Sequence, residues 1–190
     1  TSTDINNGKN QTINRSISKA EVVLNKTSFI YNKKVQKPTI KIIGSDGKKI
    51  DSSYYTITYS NKKSKKVGKY TVTISFNGIY ESTKILTYII KPKGTKINKL
   101  NKSSKAFNVS WKKQKKETSG YEIQYSTNKK MNNSKKVKVK KNNTTSITIK
   151  KLKNNTRYYV KIRTYKNVKV NGKNKKIYSG WSKIKKITTK

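Results

Sequence analysis

The 190-residue sequence contains no cysteine and no histidine. Without thiols there is no disulfide framework, no thiol nucleophile and no cysteine-ligated metal. Without imidazole the commonest general acid–base group is missing, and so is half of the usual ligand set for zinc and iron. Carboxylates are scarce too: 7 Asp plus Glu stand against 48 Lys plus Arg, a formal net charge of +41. Two carboxylates could still form a glycosidase pair. Nothing in the sequence brings two together, so catalytic residues, metal and cofactor are all expected to be absent. No apolar run is long enough to cross a bilayer, the longest being Ile85-Leu86 and Ile89-Ile90 around two polar or aromatic residues. Membrane insertion is therefore not expected. The first residues show no signal-peptide pattern and read as the cut edge of something longer, with any anchor outside the sequence.

What is present is a series of short, β-rich bursts. Residues 1–17 are polar and read as a flexible leader. Bursts follow at 20–24, 28–31, 38–43, 54–59, 69–76 and 84–90, separated by Gly, Asn, Asp and Ser. Six such runs in about 70 residues fit the regular spacing of a β-sandwich. The clearest is 69–76, where Tyr70, Val72, Ile74 and Phe76 alternate with Thr71, Thr73 and Ser75. Ser45-Asp46-Gly47 and Asn77-Gly78 supply turn residues that tolerate positive φ.

The pattern stops at Lys91-Pro92-Lys93-Gly94, the expected domain boundary, because proline has no amide hydrogen for a ladder. Strands resume near Ile97 and Leu100, then at 105–111, 121–125, 135–141, 146–150, 158–165 and 183–189. Helical periodicity is absent from both halves. The expected fold is all-β, two tandem antiparallel β-sandwiches: a leader at 1–17, a sandwich at 18–92, a linker at 93–96 and a second sandwich at 97–190.

Four features of the second half, taken together, resemble a fibronectin type III domain of the kind found in surface and secreted proteins of Gram-positive bacteria. Trp111 closes the second strand, Tyr121 and Tyr125 lie on the third, Leu152 precedes Asn154-Asn155-Thr156 and Tyr158, and Tyr178-Ser179-Gly180-Trp181-Ser182 introduces the last strand. The resemblance implies structural roles for Trp111, Tyr121, Leu152, Tyr158 and Trp181. It further implies that Tyr158 is a corner tyrosine bonded to upstream backbone. The first half resembles bacterial immunoglobulin-like repeats in Tyr55–Asn61, Val67–Ile74 and Asn77–Tyr80, departing from the usual pattern at Phe76 and Ile79. Such a pair implies a non-catalytic, secreted or cell-surface tail or stalk and no single ligand. An internal isopeptide crosslink, known in some Gram-positive sandwiches, is not expected, because only Glu117 and Glu122 could assist and neither sits at a clearly inward position.

The charge is unevenly divided. Residues 18–92 carry a net +11, whereas residues 93–190 carry 31 basic and 2 acidic residues, a net +29. If Val137, Val139, Val160 and Ile162 point inward, Lys138, Lys140, Lys161 and Arg163 point out. In a fibronectin-type arrangement these residues join Lys183 and Lys185 on one outer face, with Tyr159 and Tyr165 beside them. The lysine-rich loops at 112–116 and 173–176 are expected at opposite ends of the sandwich or flanking it. Neighbouring like charges destabilise a sheet by about 0.2–1 kcal/mol per opposed pair, a penalty that a bound polyanion would remove.

The expected partner is an anionic wall polymer, a sulfated host glycan or a host surface protein, met by a monomer. Only Arg15, Arg157 and Arg163 offer planar bidentate recognition, so the attraction is diffuse and salt-sensitive. Nucleic acid is not expected as a physiological partner, there being no helix for a groove and no stacking platform outside the core-like tyrosines. The competing reading is a spacer whose lysines keep strand edges soluble and apart.

Overall fold

The computed structural model describes residues 20–77 and 82–190. The expected leader lies outside them, as do Gly78, Ile79 and Tyr80 from the first-half resemblance. The chain forms two units, one built mainly from residues 20–90 and the other mainly from 91–190. Both are all-β.

In the first unit the strands are β1 (Glu21–Leu24), β2 (Ser28–Ile30), β3 (Ile40–Ile43), β4 (Tyr55–Tyr59), β5 (Gly68–Phe76) and β6 (Ser82–Lys91). β1 pairs antiparallel with β3, and the other four form a sheet in the order β2-β6-β5-β4. The alternation along β5 decides which side is core: Val72, Ile74 and Phe76 are buried with Ala20, Ile42 and Ile50. Tyr70 stacks on Tyr88 with ring centroids 5.4 Å apart. Before β4 a single 3-10 turn (Ser52–Tyr54) is capped by Asp51, whose carboxylate accepts from the Ser53 amide at 2.9 Å and the Ser53 hydroxyl at 2.6 Å. Those two bonds hold the Asp51 pKa below its ordinary value, since they favour the charged form.

The second unit has eight strands: β7 (Ile97–Ser103), β8 (Ala106–Trp111), β9 (Gly120–Ser126), β10 (Lys135–Val139), β11 (Ser146–Ile149), β12 (Arg157–Val170), β13 (Lys173–Tyr178) and β14 (Lys185–Thr188). One sheet has the order β11-β8-β7. The other runs β10-β9-β12-β13, with β14 also pairing β12. β13 and β14 thus line the same strand in succession, as two halves of a final strand broken at 179–184. The segment 173–176, expected as a loop, belongs to β13.

Between the sheets lie Phe107, Val109 and Trp111 from β8, Tyr121, Ile123 and Tyr125 from β9, and Tyr158, Val160 and Ile162 from β12. Leu152 is buried with them. Removing a ring such as Phe107, which is fully buried, would cost about 3–5 kcal/mol. The Tyr158 hydroxyl accepts from the Lys153 amide at 3.1 Å, the backward bond of a corner tyrosine. The Tyr121 hydroxyl accepts from the Gln114 amide at 2.9 Å and donates to the Asn142 carbonyl at 2.8 Å, tying two loops together. Segment 93–96 is fastened as well: Thr164 Oγ1 donates to Lys93 O at 2.8 Å and Gln114 Nε2 donates to Gly94 O at 2.9 Å.

Candidate binding surface of the second unit

Side-chain parity across β10, β9 and β12 places Val139, Ile123 and Ile162 in the core, and so turns Lys138, Glu122 and Arg163 to the outer side of the same sheet. Glu122 stands in register with Lys138 on one side and Arg163 on the other. It is buried nonetheless, with a side-chain exposure of 2%. The guanidinium of Arg163 covers it, donating to Oε1 from Nη2 at 2.6 Å and from Nε at 3.0 Å. Glu122 thus has the outward parity that its strand position implies and is buried all the same. Alternation alone reports which face a residue takes, not what lies on top of it.

Arg163 is in turn held by aromatic rings. Its guanidinium carbon lies 3.7 Å from the Tyr178 ring centroid and 4.2 Å from that of Trp181, and Lys161 Nζ lies 4.8 Å from the Trp181 centroid. Cations over ring faces are attracted by the ring quadrupole. Trp181 can reach over β12 because the last strand leaves the regular ladder at 179–184. There Ser179 Oγ accepts from the Thr164 amide at 3.0 Å, and Ser182 Oγ accepts from the Ile162 amide at 3.0 Å. The serine hydroxyls stand where strand carbonyls would otherwise be. Arg163 takes the outward side expected of it, and its guanidinium is engaged in this stack.

The other expected site residues do not share one face. Lys138 and Lys140 are exposed, and Lys161 is half-buried beside Trp181. Lys185 pairs with the core residue Val160, so its parity is inward. It escapes at the sandwich edge, where its Nζ donates to Asn98 O at 3.3 Å. Lys183 lies in the strand break and is exposed. The six-residue break resets the phase, which separates these two from Lys138. Tyr159 is half-buried. Tyr165 has the outward parity expected of it but is buried, bonded to the Val139 carbonyl at 3.4 Å. Its ring lies across Gly120, where any Cβ would strike both that ring and the Val139 carbonyl. Burial raises the Tyr165 pKa above its ordinary value, helped by the neighbouring Tyr178 and Glu122.

The outer sides of the two sheets differ in charge. Lys136, Lys138 and Lys161 lie on the β10-β9-β12 side. Opposite, β8 and β11 present Asn108, Ser110, Ser146 and Thr148, joined in part by Ser146 Oγ donating to Asn108 Oδ1 at 3.0 Å, and β7 adds Lys99 opposite Ser110. Most lysines, however, occupy loops and edges. The lysine-rich stretches 112–116 and 173–176 lie at the same end. Ser119 N donates to Tyr165 O at 2.8 Å and Asn167 N donates to Ser119 Oγ at 3.0 Å, fixing the 112–119 loop to the β12–β13 hairpin. Both carboxylates of the unit are in ion pairs, Glu122 with Arg163 and Glu117 with Lys166 at 3.8 Å. Among the described residues, no group of three or more His, Cys, Asp or Glu could hold a metal ion.

A two-sheet antiparallel sandwich with a tyrosine corner and a central tryptophan defines the class of the second unit. Residues 91–179 match the family model for the fibronectin type III domain. Such domains are in general non-catalytic, are typical of extracellular or surface proteins, and bring no catalytic family with them. Among solved structures, the chain is similar to the FN1–FN3 domains of chicken CNTN1, with 18% identity over 88% of this chain and a TM-score of 0.44. It spans 66% of that chain's length. It is also similar to a two-fibronectin-type-III-domain segment of chicken tenascin, with 15% identity over 89% of this chain and 98% of that one, and a TM-score of 0.48. No curated protein sequence matches it. Among the described residues, no helix is long and apolar enough to cross a membrane.

Proposed function

We propose that the chain is a non-catalytic accessory module of a secreted or cell-surface protein, whose second unit attaches its parent to an anionic polymer. The first unit is taken as immunoglobulin-like and the parent as a Gram-positive wall or surface protein, on the sequence resemblances given above. One observation carries the attachment reading. Both carboxylates of the second unit are engaged in ion pairs, so a surface of many exposed lysines faces solvent with no free acid to offset it.

Lysine in place of arginine favours a field that holds an extended polymer loosely over a site that reads one molecule closely. Wall polymers with phosphate esters and host glycans with sulfate esters have the required chemistry. Nucleic acid shares the charge, but the unit offers no helix for a groove, and the outer rings of Tyr178 and Trp181 are occupied by Arg163.

The spread of lysines over both sheet edges and several loops favours a second reading, a spacer that holds another domain away from the cell and uses lysine for solubility. Retention of the whole chain on anionic wall polymer and on heparin separates the two. Binding at low salt that fades as salt rises supports attachment, and failure to bind at low salt supports the spacer.

A further inference from the structure

The two interruptions of regular pairing in the second unit occur at one edge. On β7 the register shifts between Ile97 and Lys99, so Ile97 and Lys99 stand opposite the adjacent residues Trp111 and Ser110 and Asn98 is extra. That is the geometry of a β-bulge, which bends an edge strand and re-aims its side chains. On the other sheet the last strand is broken at 179–184. The bulge and the break border the same open cleft of about 540 Å³, lined by Thr95, Lys96, Ile97, Asn98, Ser182, Lys183 and Lys185.

The chemistry of the lining is of one sign. Lys96, Lys183 and Lys185 are exposed cations, no carboxylate lines the cleft, and buried Ile97 contributes an apolar wall. Lys185 is steadied by its bond to the Asn98 carbonyl, and Ser182 by accepting from Ile162 N and donating to the Lys183 carbonyl at 3.0 Å. Lysines also line a second open cleft of about 630 Å³, Lys33, Lys93, Lys115 and Lys116 among them. In the edge cleft three lysines border a concavity framed by the bulge and the break, where low-dielectric walls concentrate the field.

We infer that this edge cleft is the anchoring point for the polymer, taking one phosphate or sulfate ester of a sugar or polyol chain among Lys96, Lys183 and Lys185, while lysines outside it act at longer range. The inference rests on the attachment reading and goes beyond it by naming the place. It moves the site from the sheet face around Lys138 to the edge between β7 and β14.

The test compares the whole chain with two variants of equal charge: K96Q/K183Q/K185Q in the cleft, and K129Q/K130Q/K151Q on exposed loops elsewhere. Thermal melting checks that all three fold alike. The probes are a short glycerol phosphate oligomer and a short heparin-derived oligosaccharide, titrated at low salt. The cleft variant is expected to lose about tenfold in affinity for the preferred probe and the loop variant no more than about threefold. Backbone amide shifts on titration should centre on 95–98 and 182–185. Equal losses in the two variants would overturn the cleft while leaving attachment standing. No binding of either probe by the unaltered chain would overturn both. Tighter binding of a single-stranded DNA oligomer of matched charge would overturn the assignment of polymer class.

Discussion

Arg163 and Glu122 face each other across β12 and β9, and the short bond between them, 2.6 Å from Nη2 to Oε1, sits beneath the Tyr178 and Trp181 rings. A chain with so few acids has placed one of them where solvent hardly reaches it. The pair is best understood as a fastening between the central strands and the broken last strand.

Breaking that pair on one side should be costly. Arg163→Met leaves a buried carboxylate without its partner, and a loss of about 3–5 kcal/mol in urea denaturation is expected. The double variant Arg163→Met with Glu122→Met should recover much of the loss. A double variant no better than Arg163→Met alone would show that the rings, and not the charge pair, hold this region.

The serines of the strand break make a separate prediction. Ser179→Ala and Ser182→Ala each remove the acceptor of a β12 amide, that of Thr164 and Ile162 respectively. Each should cost about 1–3 kcal/mol. Hydrogen exchange reads it more sharply: protection should fall at Thr164 in the first variant and at Ile162 in the second, with the reverse assignment contradicting the geometry.

Tyrosine ionisation gives a pH signature. Burial raises the pKa of Tyr59, Tyr125 and Tyr165 above the ordinary 10.0, with nearby Tyr88, Tyr158 and Tyr178 adding to the three in turn. Unfolded tyrosines ionise near pH 10, so the folded chain stays neutral at these sites where the unfolded chain does not. Their stabilisation is whole below about pH 10 and is lost as pH rises through the raised folded values. Spectrophotometric titration should show a late class of tyrosines that merges with the rest in denaturant, and Tyr165→Phe should diminish it.

Much of this was legible in the residues. The alternation along 69–76 and through Phe107, Val109 and Trp111 announced strands with one face in a core, and both are so placed. The final hairpin was not recognised because Lys173, Asn174, Lys175 and Lys176 bury nothing, and a solvated ribbon leaves no apolar period to read. Its turn did leave a trace in Asn171-Gly172, which take φ of 50° and 73° as a two-residue hairpin turn requires. The site was less legible. Lys185 changed face because an irregular segment precedes it, and Arg163 is half-covered by rings that strand parity cannot see. The cleft follows from a bulge and a break, neither of which has a hydrophobic signature.

The most direct measurement is the affinity of the whole chain for anionic wall polymer or heparin as a function of salt, from about 50 mM to about 500 mM. Tight binding at the low end is predicted, with log affinity falling linearly against log salt as lysine-bound counterions are exchanged. An affinity that holds constant across the range, or no binding at the low end, would contradict attachment through the lysine field.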